Sequence, residues 1–197
     1  MPDRIGLFGG SFDPVHIAHL IVANVLFQEF DLEKLFFIPN FISPFKEMTT
    51  VTGIEHRLRM IELSIKNRSG FELCTFEAEK KRPVYTYETI EHFRKEYPDK
   101  ELELILGYDS FANIGRWKNY EYILENTGII IADRPVIKDI SETDISAYSV
   151  SKLCPKIDIS STVIREMVSK KIDIKYLVIE EVRHYISDNG LYKLTMK

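Results

Sequence analysis

The stretch GLFGGSFDPVHIAH, residues 6–19, decides the fold of this chain. The segment RIGLF, residues 4–8, is mostly apolar and predicts a short buried strand that runs into two glycines. The turn-forming pair Asp13-Pro14 follows, and an apolar run over residues 16–30 predicts a buried helix. A strand, a tight turn and a helix in this order are typical of the opening unit of an α/β sheet.

Beyond this stretch, strands and helices continue to alternate. We expect further strands at residues 34–39, 71–75, 101–107, 128–132 and 148–153, and helices at residues 54–65, 86–97, 120–126, 161–170 and 179–187. In the helix at 86–97 we expect Thr86 to be the N-cap residue. The unbroken apolar run 129–132 is typical of a strand buried on both faces. The pattern predicts an α/β fold with a doubly wound parallel sheet and a small C-terminal helical portion.

Composition excludes several classes of protein. With 197 residues, 45% of them hydrophobic and 28% charged, the chain is expected to form a single domain over residues 1–197. A formal net charge of −4 argues against a nucleic-acid coat or an anionic-membrane binder. Cys74 and Cys154 form no CxxC or Cys/His pattern, which argues against disulfide and zinc sites. Without a secretory pattern or a run of ~20 apolar residues, we expect a cytoplasmic protein with no membrane or nucleic-acid partner.

The first candidate site lies where the opening strand meets its helix. Backbone amides around Gly9, Gly10 and Ser11 can approach a ligand closely, and the helix start favours phosphate. His16 and His19 share a face of that helix and can donate to phosphate oxygens. A purely architectural glycine turn, a metal site built on the two histidines, and solvated histidines remain open alternatives.

The second candidate site is ISSTVIR, residues 159–165. Serine and threonine before an apolar helical run are N-cap residues, and a plain cap is the alternative reading. Arg165 lies one turn into the helix and can reach back toward its start. Exposed amides, hydroxyl groups and a guanidinium group together form a cradle suited to a polyphosphate.

Both stretches resemble motifs of the nucleotidylyltransferase superfamily. Residues 9–19 resemble its GxFDPxHxGH signature, with Ala18 where glycine is usual, and residues 159–165 resemble its ISSTxxR motif. The middle of the chain resembles the bacterial nicotinate-nucleotide adenylyltransferase family in four segments: RPVYTYETI at 82–90, LGYDSF at 106–111, RWKNY at 116–120 and DRP at 133–135. The resemblance covers nearly the whole chain and implies the Rossmann-like fold of the superfamily.

The resemblance implies AMP transfer from ATP to nicotinate mononucleotide, which gives deamido-NAD and pyrophosphate in NAD biosynthesis. We expect direct in-line attack by the mononucleotide phosphate with no covalent enzyme intermediate. The expected catalytic residues are His16, His19 and Arg165. The expected ATP-binding residues are Gly9, Gly10, Ser11, Phe12, His16, His19, Gly107, Asp109, Ile159, Ser160, Ser161, Thr162 and Arg165. The expected mononucleotide-binding residues are Lys46, Tyr85, Thr86, Asp109, Trp117 and Arg134.

Within these roles, Trp117 would stack on the pyridine ring, and Tyr85 and Thr86 would form the pocket for its carboxylate, partly through backbone amides. We expect Mg²⁺ to arrive with ATP, since no carboxylate cluster suggests a metal site built by the protein. The family usually has histidine where this chain has Phe45, so a phosphate contact there would be lost or replaced. Phosphopantetheine or nicotinamide-mononucleotide adenylyltransferase activity, or a nucleotide-binding regulator without turnover, are the alternatives. A homo-oligomer is left open.

Overall fold

A computed structural model describes residues 3–41, 52–132 and 148–193 of the chain. Its described strands form one parallel sheet in the order β3-β2-β1-β4-β5-β6. The strands are β1 (Arg4–Gly10), β2 (Leu32–Pro39), β3 (Phe71–Leu73), β4 (Glu101–Leu106), β5 (Gly128–Ile131) and β6 (Ser149–Val150). The order reverses between β1 and β4, so the predicted doubly wound parallel sheet is confirmed, and ligands of such sheets bind at this reversal.

The helices cover both faces of the sheet. They are α1 (Ile17–Glu29), α2 (Ile54–Ile65), α3 (Phe76–Lys80), α4 (Thr86–Glu96), α5 (Tyr108–Ala112), α6 (Tyr120–Asn126), α7 (Ser161–Ser169) and α8 (Glu180–Asp188), with a 3₁₀ turn at Ile114–Arg116. The helices α3 and α5 and the 3₁₀ turn were not predicted, because elements this short carry no readable period. Throughout the described ranges, helices are too short or too polar to cross a membrane.

Strand β1 runs two residues further than predicted. Gly9 and Gly10 pair with Ile38 and Pro39 of β2, so the two glycines end the strand instead of forming the turn. The turn itself begins at Ser11 and passes through Phe12, whose φ is 47°. Phe12 is 1% exposed and its ring contacts those of Phe8 and Phe37, which holds the residue in this left-handed conformation. We call residues 11–16 the β1–α1 turn.

Two smaller boundaries also differ from prediction. Tyr85, not Thr86, is the N-cap residue of α4, because the Glu88 side chain accepts a hydrogen bond from the Tyr85 amide. The last strand covers only Ser149–Val150 of the predicted segment 148–153.

The C-terminal helical portion packs next to the β1–α1 turn. The Ile17 amide donates to the Leu177 carbonyl at 2.8 Å, which fixes the start of α1. The Tyr192 hydroxyl donates to the Asp13 carboxylate at 2.7 Å, and the Thr52 amide donates to the same carboxylate at 3.1 Å. Residues distant in sequence therefore hold the turn that the opening stretch forms.

Arg57 of α2 is a buried hydrogen-bond hub next to this turn. It is 1% exposed, and its guanidinium donates to the carbonyls of Ser11, Asn40, Phe41 and Thr52 at 2.7–3.1 Å. Burial lowers the pKa of Arg57, and the nearby Asp13 acts in the opposite direction. Arginine remains charged in proteins, so these carbonyls are held by a cation. The hub fixes the end of β2 and the start of α2 against the turn.

Replacing Arg57 by Met keeps an unbranched side chain and removes every donor of the hub. We expect the free energy of unfolding in urea to fall by roughly 2–4 kcal/mol, because buried carbonyl groups lose their partners. The matched control is Arg59→Met on the same helix, where an exposed arginine pairs with Glu62. The control should change the free energy by less than about 0.5 kcal/mol. Equal losses for the two variants would contradict the hub's role.

Candidate active site

Two cavities open where β1 and β4 end, and Ser11 lines both. The first, here the histidine cavity, has a volume of about 410 Å³. Its lining residues are Phe8, Ser11, Phe12, His16, Ala18, His19, Val22, Ile159, Ser160, Ser161, Thr162 and Arg165. The second, here the tryptophan cavity, has a volume of about 300 Å³. Its lining residues are Leu7, Gly9, Gly10, Ser11, Ile38, Asn40, Glu77, Val84, Tyr85, Thr86, Thr89, Ile90, Leu104, Leu106, Ser110, Trp117 and Lys118.

The two histidines at the start of α1 form a stacked pair. His16 is the N-cap residue, and its amide donates to Nδ1 of His19 at 3.2 Å. The ring centroids lie 3.7 Å apart. Because Nδ1 of His19 accepts a hydrogen bond, its neutral ring carries the proton on Nε2. The fold thus sets the tautomer that makes His19 Nε2 a donor.

Both histidines are neutral at physiological pH in this structure. Burial lowers the pKa of His16 to about 4. Burial, and then the neighbouring His16, lower the pKa of His19 to about 3. Nδ1 of His16 is buried without a hydrogen-bond partner in the described part of the chain. A buried polar atom without a partner is uncommon and points to a ligand at this position.

The start of α7 forms the opposite wall of the histidine cavity. Ser160 caps the helix by accepting from the Val163 amide, and Ser161 donates to the Pro14 carbonyl at 2.9 Å. Arg165 reaches back to the helix start, as predicted from its spacing, and donates to the Thr162 hydroxyl at 3.2 Å. It also donates to the Asp13 carbonyl at 2.7 Å. The cation and the first amides of α7 therefore face the same cavity as the histidine pair.

The two glycines predicted to contact ATP, Gly9 and Gly10, line the tryptophan cavity. A Cβ atom at Gly9 would meet nothing within 4 Å, so the backbone there faces open space. A Cβ atom at Gly10 would come within 2.9 Å of the Phe12 ring, so this glycine is required by packing. The backbone of Gly9 is the part of the strand end that a ligand can approach.

The tryptophan cavity combines aromatic rings with a helix start. Trp117 lies on its wall, next to Lys118, whose Nζ stands 4.4 Å from the centroid of the Tyr85 ring. The Tyr85 amide donates to Glu88 at 3.0 Å and is therefore engaged. Thr86 and Tyr87 begin α4, and the first amides of a helix have no partner within it. An anionic ring substituent would meet these amides.

Glu77 is a cavity residue that the sequence analysis missed. It is 8% exposed, and the Thr89 hydroxyl donates to its Oε1 at 2.8 Å. Burial raises the pKa of Glu77 to about 7, although the Thr89 hydrogen bond acts in the opposite direction. The segment FEAEKK, in which it lies, has the composition of a solvated helix, so nothing in the pattern distinguished this glutamate from its exposed neighbours.

The remaining predicted residues are not brought into either cavity. In the described ranges, Gly107 and Asp109 line neither one; Gly107 caps α5, and the exposed Asp109 accepts from the Asn113 side chain through its carbonyl. Lys46 and Arg134, like Phe45, lie outside the described residues. No group of three or more His, Cys, Asp or Glu side chains within the described ranges could hold a metal ion.

Comparisons with known proteins place this chain in a family. The cytidylyltransferase-like family model matches residues 7–167. A probable nicotinate-nucleotide adenylyltransferase of Bacillus anthracis is 36% identical over 190 residues, covering 96% of this chain and 98% of the relative. Another, from Bacillus cereus, is 35% identical over the same length with the same coverage.

A solved structure shares the fold. The nicotinic acid mononucleotide adenylyltransferase of Plasmodium falciparum, complexed with NaAD, superposes with a TM-score of 0.80 over 99% of this chain and 100% of that one, at 23% identity. That structure supports the Rossmann-like architecture. The chain therefore belongs to the cytidylyltransferase-like family and, within it, to the group of nicotinate-nucleotide adenylyltransferases.

Proposed function

We propose that this enzyme transfers AMP from ATP to nicotinate mononucleotide, producing deamido-NAD and pyrophosphate. The observation that carries the proposal is the pair of cavities that meet at Ser11. One presents phosphate-binding groups and the other presents an aromatic wall, as joining two nucleotides requires. The bacterial relatives that carry this activity in their names cover nearly the whole chain.

ATP would place its phosphates in the histidine cavity. His19 Nε2, the first amides of α7 and Arg165 are the donors that would contact them. The mononucleotide would occupy the tryptophan cavity, with its ring against Trp117 and its carboxylate at the start of α4. Lys46, Asp109 and Arg134 remain predicted contributors to mononucleotide binding.

For this reaction the protein needs mainly to position the two substrates and to stabilise the negative charge on their phosphates. The 5′-phosphate of the mononucleotide is already an anion at neutral pH, because the second pKa of a phosphate monoester is about 6. One of its oxygens would bond to the α-phosphorus of ATP as the bond to the β-phosphate oxygen breaks, and pyrophosphate would leave with that electron pair. Neither a general base nor a covalent intermediate is required.

Neutral histidines suit this reaction. Two imidazolium cations stacked 3.7 Å apart would repel each other, whereas neutral rings can donate one N–H each. Hydrogen bonds that strengthen as charge moves to the bridging oxygen stabilise the transition state more than the ground state. Mg²⁺ bound to ATP would neutralise part of the phosphate charge. It would arrive on the nucleotide, because Mg²⁺ is usually bound through substrate phosphates together with one or two carboxylates.

An assay of pyrophosphate release from ATP tests the proposal. Nicotinate mononucleotide, nicotinamide mononucleotide and phosphopantetheine are offered in turn at equal concentration. We expect release with nicotinate mononucleotide at the highest kcat/KM. Release with phosphopantetheine alone would assign a different adenylyltransferase activity, and nucleotide binding without release would assign a regulator.

His19→Ala should lower kcat by a factor on the order of 10²–10³, because it removes a donor to the developing charge. The KM for ATP should change much less, as steady-state kinetics at saturating mononucleotide would measure. His184→Ala, at an exposed position of α8, is the matched control and should leave kcat unchanged. An unchanged kcat in His19→Ala with a raised KM for ATP would assign His19 to ground-state binding only.

Trp117→Ala should raise the KM for nicotinate mononucleotide about tenfold, because base-aromatic stacking contributes about 1–3 kcal/mol. The KM for ATP, measured in the same preparation, serves as the internal control and should stay within about twofold of the unsubstituted protein. A loss shared equally by both substrates would contradict the stacking role.

A further inference from the structure

Glu77 places a carboxyl group in the wall of the tryptophan cavity. It lies on α3, shares the cavity with Thr86 and Trp117, and is buried. One oxygen accepts from Thr89, which is one turn along α4 from Thr86. No second hydrogen bond to this carboxyl group forms between residues of the described ranges. The carboxyl group therefore has unused hydrogen-bonding capacity in a cavity that the proposed function assigns to the pyridine ring.

The charges around Glu77 leave both its neutral and its ionised form accessible near neutral pH. Among the described residues, no lysine, arginine or histidine forms an ion pair with it. Glu88 of α4, itself paired with Arg82, adds negative charge and raises the pKa of Glu77 in the same direction as burial. Cys74, at the end of β3, is a buried thiol whose pKa is raised to about 11, so it is neutral. Lys118 lines the same cavity but stands over the Tyr85 ring.

On their own helix, Glu79 and Lys80 are exposed, and Glu79 accepts from the Thr75 hydroxyl. Their charges are screened by solvent. Among the described groups of α3, α4, β3 and the Trp117 segment, the cation in the cavity lining is Lys118, which stands over the Tyr85 ring and forms no ion pair with Glu77. Both the neutral and the ionised forms are accessible near neutral pH, with the transition at about 7.

These two forms recognise different ring substituents. A neutral carboxyl group has an O–H donor, whereas an ionised one only accepts hydrogen bonds. The substituent of nicotinate is a carboxylate, which only accepts, and that of nicotinamide is a carboxamide, whose NH₂ group donates. A neutral Glu77 is therefore compatible with the acid, and an ionised Glu77 repels it and accepts from the amide.

We infer that Glu77 is a specificity-determining residue for the ring substituent, favouring the acid mononucleotide in its neutral form and the amide mononucleotide in its ionised form. The inference rests on the proposed function, because it needs the pyridine ring in the tryptophan cavity. It predicts that the preference for the acid mononucleotide over the amide mononucleotide decreases as the pH rises.

The test is the ratio of kcat/KM for nicotinate mononucleotide to kcat/KM for nicotinamide mononucleotide, measured against pH. Both substrates carry the same ribose 5′-phosphate and react with the same ATP, so titration of the phosphates and histidines cancels in the ratio. The ratio should fall by about tenfold to hundredfold between about pH 6 and about pH 8, as one group titrates. A ratio that does not change over this range would overturn the inference.

Two variants separate this role from a structural one. In Glu77→Gln the ratio should be independent of pH, since glutamine does not titrate, whereas the matched control Glu79→Gln on the same helix should keep the pH dependence. Thr89→Val removes a hydrogen bond that lowers the pKa of Glu77, so the fall in the ratio should move to higher pH. A purely structural role would not move this midpoint. A pH dependence that persists unchanged in Glu77→Gln would overturn the inference.

The inference and the proposed function fail in different ways. If the unsubstituted protein uses neither mononucleotide at any pH, the proposed function fails and the inference with it. If it uses nicotinate mononucleotide but the ratio is flat, only the inference fails. The unsubstituted protein alone gives this answer, so the test does not depend on whether Glu77→Gln folds.

Discussion

Hydrogen bonds to the backbone of the β1–α1 turn are the constraint on which both cavities depend. Arg57 donates to the Ser11 carbonyl, Arg165 to the Asp13 carbonyl and Ser161 to the Pro14 carbonyl. Arg57 lies on α2, whereas Ser161 and Arg165 both lie on α7. Because Ser11 lines both cavities and Phe12 and His16 line the histidine cavity, these bonds fix the positions of groups in both walls.

Most of the groups that the site would offer to anions are neutral hydrogen-bond donors. The formal net charge of the chain is −4, yet two polyanionic substrates are proposed to meet at the turn. The donors that the fold supplies are mostly neutral: backbone amides at the starts of α4 and α7, and imidazoles whose pKa burial has lowered. The acidic group within the tryptophan cavity, Glu77, has a pKa raised by burial. Low polarity thus reduces charge on both the basic and the acidic groups of the site.

Local pattern was sufficient to predict most of the sheet and the two motifs that line the histidine cavity. Periodicity located β4 and β5, and the spacing within residues 159–165 predicted that Arg165 would reach back to the helix start, where it bonds Thr162. What could not be predicted depends on contacts between distant segments. In the sequence, Arg57 is indistinguishable from the other charged residues of an amphipathic helix. Its burial as a hydrogen-bond hub depends on contacts that form only in the folded chain.

The same limit explains what the local pattern did not show near the site. Glu77 and Glu79 are alike in sequence, and burial of one but not the other is a property of the packed sheet. Gly9 and Gly10 suggest a turn by composition, but pairing with β2 keeps them in the strand. Tyr85 and Thr86 were predicted to form the carboxylate pocket partly through backbone amides, and the structure shows that the Tyr85 amide donates to the Glu88 side chain.

The bond from Tyr192 to Asp13 joins one of the last described residues to one of the first. During synthesis, the segment that contains Asp13 leaves the ribosome long before Ser161, Leu177 and Tyr192 do. Until these partners have been synthesised, residues 11–17 of a nascent chain lack the hydrogen bonds that the partners donate or accept. Truncated products would then lack the hydrogen bonds that hold this turn in place.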